Sequence, residues 1–60
     1  MTPTPHQIRS ARVALGMSQA VAALTLHVAR RTLQDWEAGV AKMPGAAWEL
    51  MQIKLKEKSA

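Results

Sequence analysis

The stretch Ser18-Gln19-Ala20-Val21-Ala22-Ala23-Leu24-Thr25-Leu26-His27-Val28-Ala29-Arg30-Arg31-Thr32-Leu33-Gln34-Asp35-Trp36-Glu37-Ala38-Gly39 decides the fold. Ser18 is a good N-cap, and the residues after it predict a helix over about 18–25. Its alanines are small enough to let another helix pack close. Leu26-His27-Val28 breaks the helical period. His27 falls where the chain must turn, and histidine is among the non-glycine residues that tolerate positive φ. A second helix is predicted over about 29–38, and Gly39 stops it. Leu33 and Trp36 share one face of that helix, with Val28 just before, while Arg30, Arg31, Gln34 and Asp35 lie on the others. Two arginines in the first turn oppose the helix dipole, a cost unless an anion compensates.

Working outward, Thr4-Pro5-His6-Gln7 carries a Thr-x-x-Gln capping box with Pro at the first helical position. Helix 1 is predicted over about 5–15, with Ile8, Ala11, Arg12 and Leu15 on one stripe and Gly16 at its end. Residues 39–44 read as a loop. Pro44 opens a fourth helix over about 44–57. At roughly 100° per residue its apolar side chains cover an arc of about 220°, where one core needs a stripe of only about 100° or somewhat more. Two stripes can be drawn there: Trp48, Met51 and Leu55, and Ala46, Leu50 and Ile53. One closes the monomer core and the other packs on a second subunit. The expectation is that Trp48, Met51 and Leu55 form the dimer interface.

Sixty residues make one domain, residues 1–60, and a core this small rarely gives more than roughly 3–5 kcal/mol. There are no cysteines and two histidines, so no disulfide and no metal site is expected. That leaves self-association as the natural staple. Eight Lys/Arg against four Asp/Glu give a net charge of +4, which suits nucleic acid or an anionic membrane surface; a basic but otherwise ordinary soluble domain would read the same by charge alone. No apolar run approaches the ~20 residues of a membrane span, and the N-terminus does not read as a signal peptide. A cytoplasmic protein is expected. Phe and Tyr are absent and Ala, Leu, Gln, Arg and Lys are frequent, a composition that predicts an all-α domain of four helices.

Two short helices joined by about three residues, the second rich in Arg and Gln, form the helix-turn-helix pattern. The second helix must then project one polar face into a major groove about 12 Å wide. The register Ser18-Gln19, Ala23, Leu26-x-Val28, Arg30-Arg31-Thr32-Leu33 and Trp36-Glu37-x-Gly39 resembles the signature of XRE-class phage repressors and Cro proteins, over residues 8 to about 45. The segment Lys42-Met43-Pro44 with Trp48-Glu49-Leu50 resembles a phage and mobile-element subgroup that includes anti-CRISPR-associated autorepressors. The resemblance implies a compact lambda-repressor-like fold. It has departures: His27 stands for the common turn glycine, Ala29 for a serine N-cap, and Ala22 for a core leucine.

With that resemblance, Arg30 and Arg31 are candidates for guanine O6/N7 or an adjacent phosphate; the alternative is a solvated basic face. Gln34 is a further base-contact candidate. Asp35 could accept from cytosine N4 or hold Arg31 at i, i+4, and the second reading is favoured because an acid facing DNA is otherwise repelled. The resemblance assigns phosphate contacts to Gln19, otherwise an ordinary surface glutamine, and to Lys42, and the Thr32 hydroxyl is a further phosphate-contact candidate. It also implies a structural ion pair between Arg12 and Glu37, linking helix 1 to helix 3. Trp36 reads as core. Lys54, Lys56 and Lys58 read as a solvated cluster suited to their helix's own C-terminus.

The function these features predict is a transcriptional repressor. It binds an inverted-repeat double-stranded DNA operator as a homodimer and autoregulates a phage or mobile-element operon. No cofactor and no small-molecule ligand are expected, because sixty residues leave little room for a pocket. An enzyme is excluded by the lack of a nucleophile–base set, paired carboxylates or a glycine-rich phosphate loop. The alternative is an antitoxin or other protein-interaction module that uses the apolar face of helix 4.

Overall fold

A computed structural model describes residues 2–59, with four helices and no strand among them. They are α1 (Pro5–Ala14), α2 (Gln19–Thr25), α3 (Arg30–Ala38) and α4 (Gly45–Ser59). The capping box at the head of α1 is present: Gln7 N–H donates to Thr4 Oγ1 at 3.1 Å and Thr4 N–H donates to Gln7 Oε1 at 2.8 Å. Ser18 caps α2 by accepting from Val21 N–H at 3.2 Å. Ala29 holds the same position before α3 in extended backbone, with no side chain to offer the first turn.

The first three helices end alike. Met17 N–H returns to Arg12 C=O and Gly16 N–H to Val13 C=O; Val28 returns to Ala23 and His27 to Leu24; Val40 returns to Asp35 and Gly39 to Trp36. This paired return satisfies the orphan carbonyls of a helix end and requires a left-handed residue at the pivot. The pivots are Gly16 (φ 71°), His27 (φ 60°) and Gly39 (φ 79°). His27 is thus in the conformation its place in the turn demands, and without glycine's freedom there.

The core gathers Ile8 and Ala11 from α1, Ala22, Ala23 and Leu26 from α2 and its cap, Leu33 and Trp36 from α3, and Met51 from α4. Burying large side chains such as Ile8, Leu33 and Met51 contributes roughly 1.5–3 kcal/mol each. The alanines of α2 let it lie close on α3. Met43, in the segment read simply as a loop, is fully buried and plugs the core from between α3 and α4.

Helix α4 overturns one expectation. Met51, expected at a dimer interface, is 1% exposed and belongs to the monomer core. Trp48 and Leu55 are half-buried and pack against that core as well. The inward side therefore carries Trp48, Met51 and Leu55, with Ala47 and Leu50 beside them, on a helix that packs against α1. Ala46 and Ile53 are exposed, while Leu50 is half-buried and packs against the core, as does Ala47. Lys58 is also not merely solvated: its Nζ donates to Ala14 C=O at 2.8 Å, so the end of α4 caps the end of α1. Lys54 pairs with Glu57 at 3.5 Å.

Candidate nucleic-acid interface

The arrangement at α3 follows from which of its faces the core takes. Leu33 and Trp36 are buried, and with them Glu37, whose side chain is only 2% exposed. That leaves Arg30 and Arg31 exposed in the first turn, with Gln34 and Asp35 half-exposed one turn on. Arg31 Nε donates to Asp35 Oδ1 at 3.1 Å. This is the i, i+4 bond that the sequence offered as one role for Asp35, and it leaves the Nη groups of Arg31 without a hydrogen bond among the described residues, on a side chain 83% exposed. No side-chain bond of Arg30 occurs among the described residues. Thr32 is half-buried beside this face and Lys42 is exposed in the loop beyond α3.

The opposite end of α3 is fixed by a polar hub. Arg12 grips both oxygens of Glu37, Nε to Oε2 at 2.8 Å and Nη2 to Oε1 at 3.1 Å. Its remaining Nη1 donates to Met17 C=O at 3.1 Å, which ties in the approach to α2. Gln19 Nε2 reaches Glu37 Oε1 at 3.4 Å. A carboxylate this deeply buried requires partners for both oxygens, and it has them. Every buried side-chain nitrogen and oxygen among the described residues has a hydrogen-bond partner. The hub holds α1, the start of α2 and α3 in one relative position, so the polar face of α3 is presented on a rigid frame.

The structure thus brings Arg30, Arg31, Gln34 and Asp35 together on α3 and joins Gln19 to the end of that helix through Glu37. It turns Trp48, Met51 and Leu55 inward, away from this surface. One residue was missed in the sequence: Arg9, whose Nε lies 3.8 Å from Glu37 Oε1 with the side chain 62% exposed. The signal was available, since Arg9 is three residues before Arg12 and shares its side of α1.

A cleft of 380 Å³ lies between the N-terminal segment and α3, lined by Pro3, Pro5, Ile8, Trp36 and Gly39 with Lys42 at its edge. No group of His, Asp or Glu side chains that could hold a metal ion occurs among the described residues, and none of their helices is long and apolar enough to cross a membrane.

A family model described as helix-turn-helix matches residues 8–50, from the first buried residue of α1 into α4. No curated protein matches the chain.

Proposed function

The chain belongs to the XRE-type helix-turn-helix family of DNA-binding transcription regulators, a family of regulators and not of enzymes, and we propose that within it this protein is an autoregulatory repressor of a phage or mobile-element operon, acting in the cytoplasm. Helix α3 enters the major groove of an inverted-repeat operator. Arg30 and Arg31 contact base edges, Gln34 adds a further base contact, and Asp35 holds Arg31. Gln19, Thr32 and Lys42 contact phosphates that set the register.

The observation that carries this reading is the division of α3. Its arginine-bearing face is exposed while Leu33, Trp36 and Glu37 lock the other into the core. An exposed guanidinium with its Nη groups unbonded can meet the paired acceptors of guanine, and phosphates would offset the unfavourable charge at the head of the helix. Asp35 serves as a brace: held by the Arg31 Nε, its negative charge is partly compensated where it would otherwise repel DNA.

A homodimer places two such helices about 34 Å apart, one per half-site. Its surface is proposed on the outer side of α4, at Ala46 and Ile53 with the half-buried Leu50 beside them, since Trp48, Met51 and Leu55 pack on the core. A non-identical protein could use the same stripe, the reading in which the chain is an antitoxin or interaction module.

The test is footprinting on the DNA immediately upstream of the protein's own gene, with Arg30→Ala and Arg31→Ala beside the parent chain. Protection of a two-fold repeat that either substitution weakens, with helicity retained, supports the reading. Equal protection by the parent and both variants would sink the assignment of α3. An unprotected upstream region that stays so at low salt would count against autoregulation.

A further inference from the structure

We propose that Arg9 is a DNA-backbone phosphate contact, set beside Gln19 by the carboxylate they both approach. The inference rests on the DNA-binding reading above and adds to it a residue on α1.

The Glu37 carboxylate carries one negative charge, and Arg12 alone meets it through both oxygens at 2.8 and 3.1 Å. Arg9 is a second cation on the same group. Its Nε stands 3.8 Å from Oε1, outside the 2.7–3.2 Å range of an N–H···O hydrogen bond. A guanidinium has five N–H donors, and no hydrogen bond from the Arg9 side chain occurs among the described residues. Two arginines against one buried carboxylate leave the cluster with a surplus positive charge, and 62% exposure of Arg9 puts that charge at the surface.

Three other cations are already engaged, whereas Arg30, Lys42 and Lys56 are, like Arg9, exposed without a side-chain hydrogen bond among the described residues. Arg31 is held by Asp35, Lys54 meets Glu57, and Lys58 donates to a backbone carbonyl. Arg9 is drawn toward the hub by attraction without being bonded to it. Gln19 Nε2 lies 3.4 Å from the same Oε1 atom, so Arg9 and Gln19 are neighbours across the joint between α1 and α2. A phosphate has several acceptor oxygens and takes the planar fork of an arginine well. The backbone strand that meets Gln19 is within reach of Arg9, which makes the ligand a diester phosphate of the duplex and not a free anion.

The experiment measures binding of the full chain to a mixed-sequence duplex between 50 and 200 mM NaCl, and to a second duplex carrying the footprinted site. Arg9→Ala is expected to reduce the slope of log K against log[NaCl] by about 0.9 per bound chain. It should weaken both duplexes by the same factor, and Arg9→Lys should keep the slope. An unchanged slope in Arg9→Ala overturns the proposal, whatever happens to its melting temperature. So does loss of binding to the footprinted duplex alone, which would make Arg9 a sequence reader. If the unsubstituted chain binds duplex without salt dependence, the DNA reading fails first and this contact with it.

Discussion

Arg12 and Glu37 meet through two hydrogen bonds, 2.8 Å and 3.1 Å long, across twenty-five residues of chain. The pair fastens α1 to the end of α3, and its third arm to Met17 reaches the approach to α2. Both partners are largely out of solvent, at 17% and 2% side-chain exposure. Such a pair adds little net stability over well-packed apolar residues, yet losing one member leaves an uncompensated buried charge. Its value here is orientation: it fixes where the polar face of α3 points.

Arg12→Ala is therefore expected to lose about 3 kcal/mol or more. A domain this small holds only roughly 3–5 kcal/mol, so the variant should be largely unfolded at 25 °C by circular dichroism. Glu37→Ala should lose somewhat less, because Arg12 can turn toward solvent while an orphaned Glu37 cannot. A urea midpoint for Arg12→Ala close to that of the parent would show that Arg9 and Gln19 satisfy Glu37 without it.

The head of α3 offers a gain in stability. Ala29 stands at φ −69° and ψ 147°, the extended geometry in which Ser18 caps α2. Ala29→Ser should supply the missing acceptor to a first-turn N–H and stabilise the protein by about 1 kcal/mol. In a domain of this size that raises the melting temperature by about 4–8 °C. A calorimetric scan checks it; an unchanged transition would mean that the serine side chain turns to solvent.

What the sequence made legible was local. The Thr4 and Ser18 caps, the turn at His27 and the buried face carrying Leu33 and Trp36 each follow from a few adjacent residues and a known helical period. Distant packing was not legible in the same way. The two stripes of α4 are equally apolar, and only the placement of α4 on α1 selects Trp48, Met51 and Leu55 for the core. Met43 has no period to read, since it lies in a loop. Lys58 looks like any exposed lysine until the chain brings it over Ala14. Arg9 was legible in part: its place three residues before Arg12 sets its side of α1, but the carboxylate that both approach lies twenty-eight positions away.

His27 gives a strain prediction. A non-glycine side chain in the left-handed region costs of order 1 kcal/mol, and the return bonds from His27 and Val28 hold it there. His27→Gly should be neutral to stabilising, as the relief of strain offsets the greater freedom of glycine in the unfolded chain. His27→Val should destabilise by ~1 kcal/mol or more, because a β-branched residue is a genuine outlier at positive φ. Denaturant melts of the two variants with the parent test the order; valine as stable as glycine would show that the turn can rearrange.

Helix α4 allows folding and association to be separated. Met51 is 1% exposed and Ile53 is 45% exposed, two residues apart on opposite sides of the helix. Met51→Ala removes core volume and is expected to cost roughly 2–5 kcal/mol, enough to abolish cooperative melting. Ile53→Asp touches no buried contact, so the helical signal should persist. If the outer stripe is the dimer surface, that substitution buries an unpaired charge against the partner's copy and should shift sedimentation from dimer to monomer. DNA affinity should then fall because two half-sites are no longer held together, while each recognition helix remains intact. A monomer that retains parent affinity for the inverted repeat would remove dimerisation from the mechanism. A parent chain that sediments as a monomer, yet associates through Ile53 with a different protein, would favour the interaction-module reading.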